Sequence, residues 1–351
     1  MPEPLSETEP RGGRAARRRA PVMADVARVA GVSHQTVSRV LNDSAHVRPQ
    51  TRERVLSAMR ELDYRPSSVA RALVTGRSRT LGVVSFDTTL YGPASTLFGI
   101  ERAAHEEGYF VSIVSLTALD RSSILTAVER LRDQGVDGIL IIAPQVAASQ
   151  AVLHVPPDMP VVCVEAGPRE AVPVVSVDQL AGAAAATRHL LDLGHRTVWH
   201  VAGPEDFLEA RQRIAGWRAT LEAAGAQAPP LVSGDWSARS GYELGQRLVT
   251  VRAMTAVFVG NDQMALGILR ALHEVGREVP RELSIVGFDD IPEAQYFTPP
   301  LTTVRQDFNE MGRKSLMLLL REMVAGERSS ARVVVEPELV VRDSTAAPPR
   351  A

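Results

Sequence analysis

Between residues 24 and 48 the segment ADVARVAGVSHQTVSRVLNDSAHVR reads as two short amphipathic helices hinged at Gly31. In the second, Val37, Val40 and Leu41 fall at i, i+3 and i+4, while His34, Gln35, Ser38, Arg39 and Asn42 line the opposite side. Gly31 can take the positive φ that ends the first helix, and Ser33 can cap the second through the backbone near Thr36. A turn this short holds the helices at the steep angle of a helix-turn-helix, whose second helix can enter a major groove. Arg and Gln on an exposed helix face are the side chains that pair with guanine and adenine edges. The plainer alternative is a helical hairpin whose outer face is only solvated.

The pattern continues with Pro49 at the start of a third helix, where Val55, Met59 and Leu62 are spaced to close a small three-helix core. Asp63 to Pro66 end it. The following SSVARALVTG is too short to be a stable free helix, so it is expected to order only against a twin and DNA.

After residue 79 the period changes. Short β-branched runs (TLGVVSF, YFVSIVSL, DGILIIA, PVVCVE, PVVSVD, TVWHVAG, AVFVGND, LSIVGFD) alternate with helical stretches at 94–107, 121–134, 179–194, 208–225 and 262–276. Such alternation predicts parallel sheets covered by helices on both faces. In such folds ligands bind beyond the carboxyl ends of strands. That rule nominates Asp87 to Pro93, Asn261, Asp262, Asp289, Asp290 and Gln306. Asp262 and Asp290 fit caps of the following helix or turn better than ligand contacts. Trp236, after a Gly-Asp turn, has little reason to be core. A sugar needs carboxylate or amide acceptors, a donating Arg and an aromatic face, and the chain supplies each type.

Charge sharpens this division. The whole chain carries −2, yet residues 1–80 hold fifteen Arg against eight acidic residues, a surplus of seven that leaves −9 for the rest. A basic N-terminal part suits phosphate neutralisation and predicts salt-sensitive binding. The opening MPEPLSETEPRGGRAARRRA has the composition of a disordered arm. The lone Cys163 lies in an apolar run and reads as a buried small hydrophobe. There is no membrane-length apolar run, no signal-like segment, no phosphate-binding glycine loop, no HExxH or GxSxG and no metal-like Cys/His cluster. A non-enzymatic cytoplasmic, nucleoid-associated protein without cofactor or metal is expected.

The run DVARVAGVSHQTVSRVLN, the Tyr64-Arg65-Pro66 step and VARAL resemble the headpiece and hinge helix of the lactose-repressor (LacI/GalR) family of bacterial transcription regulators. The likeness continues through LDLGHRTVWHVAGP, AGWRATLEAAG, GDWSARSGY, VFVGNDQMALGILRAL, ELSIVGFDDIP and PPLTTVRQDF, covering roughly residues 22 to 342. It implies an all-α helix-turn-helix headpiece at 22–66 after a basic arm at 1–21, then a hinge helix at 67–78. An α/β core of two doubly wound parallel-sheet lobes, like periplasmic binding proteins, would span 79–342. The N-lobe would take about 79–175 and 307–333, the C-lobe about 178–304 and 337–342, with crossings near 175–178, 304–307 and 333–337, and a disordered tail would occupy 343–351.

Carried over by position, the resemblance sets His34, Gln35 and Arg39 in the major groove, with Ser33, Ser38 and His46 on or near the backbone. Ala70 and Leu73 of the hinge would also meet the DNA, Leu73 wedged into the minor groove. Arg213, Trp236, Asn261, Asp289 and Gln306 match the family's ligand contacts, Leu90, Gly92 and Pro93 its N-lobe wall, and Phe308 its floor. Glu165 and Glu209 depart from the family's namesake, which has an aspartate and a serine there, and so would reshape the pocket. The implied regulator is a repressor released from a double-stranded, pseudo-palindromic operator by a small sugar effector, first a galactoside or related glycoside. A purine-like corepressor is the alternative within the family, and a sugar-transport receptor the alternative outside it. No leucine heptad follows the last strand, so a homodimer rather than a tetramer is expected.

Overall fold

The computed structural model describes residues 21–41, 46–64, 76–116, 120–142, 144–152, 154–165, 172–326 and 328–349. Most of the arm at 1–21, Asn42, and hinge residues 67–75, Ala70 and Leu73 among them, fall outside them. The chain divides into two compact units, Met1–Gly76 and Arg77–Ala351.

In the first unit, helix α1 (Met23–Ala30) ends at Gly31 with φ 61°, and α2 (His34–Leu41) begins one short turn later. The Ser33 hydroxyl accepts from the Thr36 amide at 3.2 Å, the expected cap. Pro49 opens α3 (Pro49–Glu61). Val26, Val37, Val40, Val55 and Ala58 are buried together, with Leu41, Met59 and Leu62 packed around them. A brace not foreseen from sequence comes from Arg54 of α3, which donates to the carbonyls of Ala30 and Gly31 and so ties the turn to the third helix.

The second unit holds two six-stranded sheets. The first takes β1 (Thr80–Phe86), β2 (Phe110–Leu116), β3 (Gly138–Ile142), β4 (Val161–Val164), β5 (Val174–Val177) and β11 (Arg332–Val335), in the order β11-β5-β4-β3-β1-β2. The second takes β6 (Trp199–Ala202), β7 (Val232–Ser233), β8 (Ala256–Val259), β9 (Ser284–Asp289), β10 (Thr302–Arg305) and β12 (Glu338–Val340), in the order β12-β10-β9-β8-β6-β7. All pairings are parallel except β10 with β12. Central strands such as β3, β4 and β8 are buried along their whole length, as parallel strands covered on both faces must be.

Helices α4 (Tyr91–Glu106), α5 (Arg121–Asp133), α6 (Val146–Val152) and α11 (Phe308–Ala325) belong with the first sheet. Helices α7 (Gln179–Asp192), α8 (Leu208–Ala223), α9 (Ala238–Leu248) and α10 (Asp262–Glu274) belong with the second. The chain crosses between lobes after β5, after β10 and after β11. Two crossings are fixed by caps: Asp178 accepts from the Ala181 amide and Asp307 from the Glu310 amide, each at 2.8 Å.

Away from these crossings, the loops after β3 and β6 pair as a short antiparallel bridge of Gln145 with Phe207. The Val146 amide donates to the Asp206 carbonyl at 3.1 Å and the Leu208 amide to the Pro144 carbonyl at 2.8 Å. The lobes thus also touch through backbone apart from their connections.

The described part of the C-terminal tail is not the disordered segment expected. Ser344 is fully buried; its hydroxyl accepts from the Thr302 amide at 2.8 Å and donates to the Ile285 carbonyl at 2.6 Å. The Ala346 amide donates to Ser284 Oγ at 3.0 Å. The segment saturates the end of the second sheet, where otherwise buried backbone donors would be orphaned, a role that Pro/Ala-rich composition does not reveal.

Candidate effector cavity and nucleic-acid interface

On α2, Val37 and Val40 face inward while His34, Gln35 and Arg39 are exposed and Ser38 is half-buried. Ser33 and His46 are also exposed, although the Ser33 hydroxyl is already engaged with Thr36. The polar face read from the sequence therefore stands free of the headpiece core.

Between the lobes lies a cavity of about 240 Å³. Leu90, Gly92, Pro93, Glu165, Glu209, Arg213, Trp236, Asn261, Asp289, Gln306 and Phe308 all line it, so the positions nominated one by one from sequence converge on a single space. Most come from a strand end or the first turns of a helix: Glu165 after β4, Asp289 ending β9, Gln306 after β10, Phe308 opening α11 and Arg213 in α8, with Trp236 in the loop before α9. Glu165, Trp236 and Asp289 hold φ of 61°, 73° and 108°. Such left-handed backbone is costly for residues with side chains and aims these three groups into the cleft.

Three hydrogen bonds and one ion pair form a closed ring at the base of the site. Arg213 Nε donates to Gln179 Oε1 at 2.8 Å, Gln179 Nε2 to Gln306 Oε1 at 2.8 Å, and Gln306 Nε2 to Asp289 Oδ1 at 2.7 Å. Asp289 lies 3.7 Å from Arg213 Nη2, which completes the circuit. Arg213 also donates to the Gly260 carbonyl, and its guanidinium sits 3.8 Å from the centre of the Phe288 ring and 5.5 Å from that of Trp236. Every ring member is buried, so each polar atom needs its partner.

Three sequence readings change. Trp236 is only 8% exposed and packs edge-on against Phe207 at 5.7 Å, so it is both core and cavity wall. Asp262 does not cap α10. Asn261 does, accepting from the Met264 amide at 3.0 Å, while buried Asp262 accepts from the Ile291 amide and the Thr303 hydroxyl. Asp290 is no cap either; it pairs with Arg305 at 2.7 Å and Arg342 at 2.6 Å, because the strand is followed by a loop rather than a helix. Asn261 Nδ2 is likewise held by the Trp236 carbonyl and Gln263, so this residue shapes the wall with its polar atoms already engaged.

Gln179 was missed, although its place at a strand's carboxyl end was a usable signal. Tyr91, Asp235 and Ser237 line the cavity from inside motifs already quoted.

The electrostatics are lopsided. Burial pushes the Glu165 carboxyl up to about 8, with the charge of Glu209 adding to it. Burial raises Glu209 to about 7 and Asp289 to about 6, against the pull of Arg213 in both cases. Beneath the site, His200 stacks on Phe258 at 4.5 Å, and burial lowers it to about 4. Among the described residues no cluster of His, Cys, Asp and Glu is arranged to hold a metal, and no helix is long and apolar enough to cross a membrane.

Residues 22–67 match the family described as bacterial regulatory proteins, lacI family, and residues 187–345 match the periplasmic binding protein-like domain. The chain is 34% identical over 330 residues to the lactose operon repressor of Escherichia coli, covering 92% of this chain and 90% of that one. The chain belongs to the lacI family of bacterial regulatory proteins. The HTH-type transcriptional repressor PurR of Haemophilus influenzae is 33% identical, with 91% of this chain and 97% of that one covered. Among solved structures, the lac repressor dimer bound to operator and the anti-inducer ONPF superposes with a TM-score of 0.83 at 34% identity, covering 94% of this chain and 100% of that one. The regulator CelR in complex with cellobiose gives 0.68 at 31% identity, over 92% and 99%. This lacI-family member is accordingly a DNA-binding transcriptional repressor with a periplasmic-binding-protein-like body.

Proposed function

We propose that this repressor holds its operator until a small saccharide enters the cleft, and that occupancy of the cleft releases the DNA. The cavity lining carries the reading. Aromatic faces at Trp236 and Phe308 oppose polar groups at Arg213, Asp289 and Gln306, the combination a polyol with one apolar face requires. A galactoside or related glycoside is the first candidate, and the cellobiose complex of a structural relative supports a saccharide. The purine repressor among the relatives makes a corepressor the rival.

In this reading His34, Gln35 and Arg39 meet base edges, Ser33, Ser38 and His46 hold the backbone, and Ala70 and Leu73 of the hinge engage the minor groove. The working form is a dimer on a pseudo-palindromic site. The effector can shift the DNA equilibrium only by its differential affinity for the two states, so operator must weaken effector binding by the same factor. The test selects an operator from random duplexes, then follows its complex by fluorescence anisotropy while saccharides and purines are added. Release by a saccharide is the expected result. Tightening by a purine, with no response to any saccharide, would replace this reading with the corepressor one.

A further inference from the structure

The cavity's charge does not balance. Its lining contains the carboxylates of Glu165, Glu209, Asp235 and Asp289, but the guanidinium of Arg213 is the only basic side chain among the described residues of that lining. Arg213 is already committed to Asp289, Gln179 and the Gly260 carbonyl. Asp235, at the exposed rim, is held by the Ser237 amide at 2.9 Å and by the Ser237 hydroxyl. Two glutamates are left facing the enclosed space. Glu165 is only 8% exposed, the Val177 amide donates to its Oε1 at 3.1 Å and its carboxyl is also hydrogen-bonded by Gln179; neither it nor Glu209 forms an ion pair among the described residues.

In the free protein, burial favours the protonated form of both carboxyls, because their ionised forms find no compensating cation there. A ligand cation would remove the penalty. No three His, Cys, Asp or Glu side chains gather to hold a metal among the described residues, and an organic ammonium is the cation whose ring could also use the aromatic walls.

We propose that the effector is an amino sugar whose protonated amine sits between Glu165 and Glu209. This deepens the saccharide reading above and rests on it. The aromatic faces of Trp236 and Phe308 take the apolar side of the ring, the Arg213 ring fixes hydroxyls, and the two glutamates select the ammonium. Burial raises the proton affinity of both carboxyls despite the pull of Arg213, as expected of a pair with no cation seated between them.

Calorimetric titration of the full chain at neutral pH tests this, with D-glucosamine and D-galactosamine set against glucose, galactose and the N-acetyl forms. The amino sugars are expected to bind at least about tenfold more tightly than their neutral partners, as a partly desolvated ion pair implies. Glu209→Gln and, separately, Glu165→Gln should each bring that ratio to within about twofold. Neutral sugars binding as tightly as amines, or an amine preference that survives both substitutions, would overturn the amino-sugar assignment and leave the saccharide reading intact. Binding of a purine with none of any saccharide would overturn both.

Discussion

Gly99 of α4 and Gly312 of α11 stand backbone to backbone. A Cβ on Gly99 would collide with the Phe308 carbonyl, and one on Gly312 with the backbone of Gly99 itself. The helices cross this closely because neither residue has a side chain, and the crossing positions Phe308 edge-on to Tyr91 at 5.7 Å in the cavity wall. Gly312→Ala should therefore destabilise the protein by about 1–3 kcal/mol through overpacking. It should also weaken effector binding as Phe308 is displaced. Denaturant unfolding paired with ligand titration checks both effects.

The buried ring gives a sharper test. Gln179→Leu leaves Arg213 Nε and Gln306 Oε1 without partners inside the protein. Each orphan costs about 1–3 kcal/mol, so the variant should lose several kcal/mol in urea unfolding, well beyond the loss of an exposed glutamine.

Acid–base behaviour should follow from the cavity glutamates. Their folded pKa values lie above the ordinary 4.5, so the folded state binds protons more readily, and stability falls as pH rises from there through about 7 and 8. Buried His200 acts in the opposite sense, but only between about 4 and its ordinary 6.5, where stability is lost as pH falls. From pH 6.5 to 8 the glutamates act alone among these groups. The melting temperature of the free protein should decline over that interval, by the equivalent of on the order of 1 kcal/mol, and Glu165→Gln should flatten the decline. A melting temperature that climbs instead would contradict the buried-carboxyl picture.

The C-terminal segment makes its own demand. Truncation after Arg342 removes the Ser344 and Ala346 contacts to Ile285, Thr302 and Ser284. Unfolding of such a variant should show a loss of about 1–3 kcal/mol for each buried backbone group left unpaired.

For the headpiece, Ser33→Ala should cost about 1 kcal/mol of stability through the lost cap on α2. Arg39→Ala should instead leave stability almost unchanged, since its side chain is exposed. It should weaken a selected operator by about 1–3 kcal/mol in a binding titration if Arg39 reads a base edge.

Sequence periodicity was sufficient where one face of an element had to be buried. Val37 and Val40, the β-branched runs and the strand-end positions in the cleft all carry that signal. What escaped it depended on partners distant in sequence. Gln179 matters because Arg213 and Gln306 reach it from other elements, and Asp262 is bonded to Ile291 and Thr303 rather than to its own helix. The tail misled for the opposite reason: a Pro/Ala-rich segment normally has nothing to bury, but Ser344 and Ala346 fit donors and acceptors at a sheet end that no local pattern announces. Trp236 was legible as a wall residue but not as core, because its neighbours Phe207 and Arg213 come from a separate helix and its approach loop.

The strand-like seam between Pro144–Val146 and Asp206–Leu208 gives the cleft a clock. Bending about the crossings to part the lobes must break both of its hydrogen bonds. At about 1 kcal/mol net for each, that slows opening by roughly ten- to a hundredfold. Under the proposed function, an effector seated in the cleft would thus outlast brief dips in its supply.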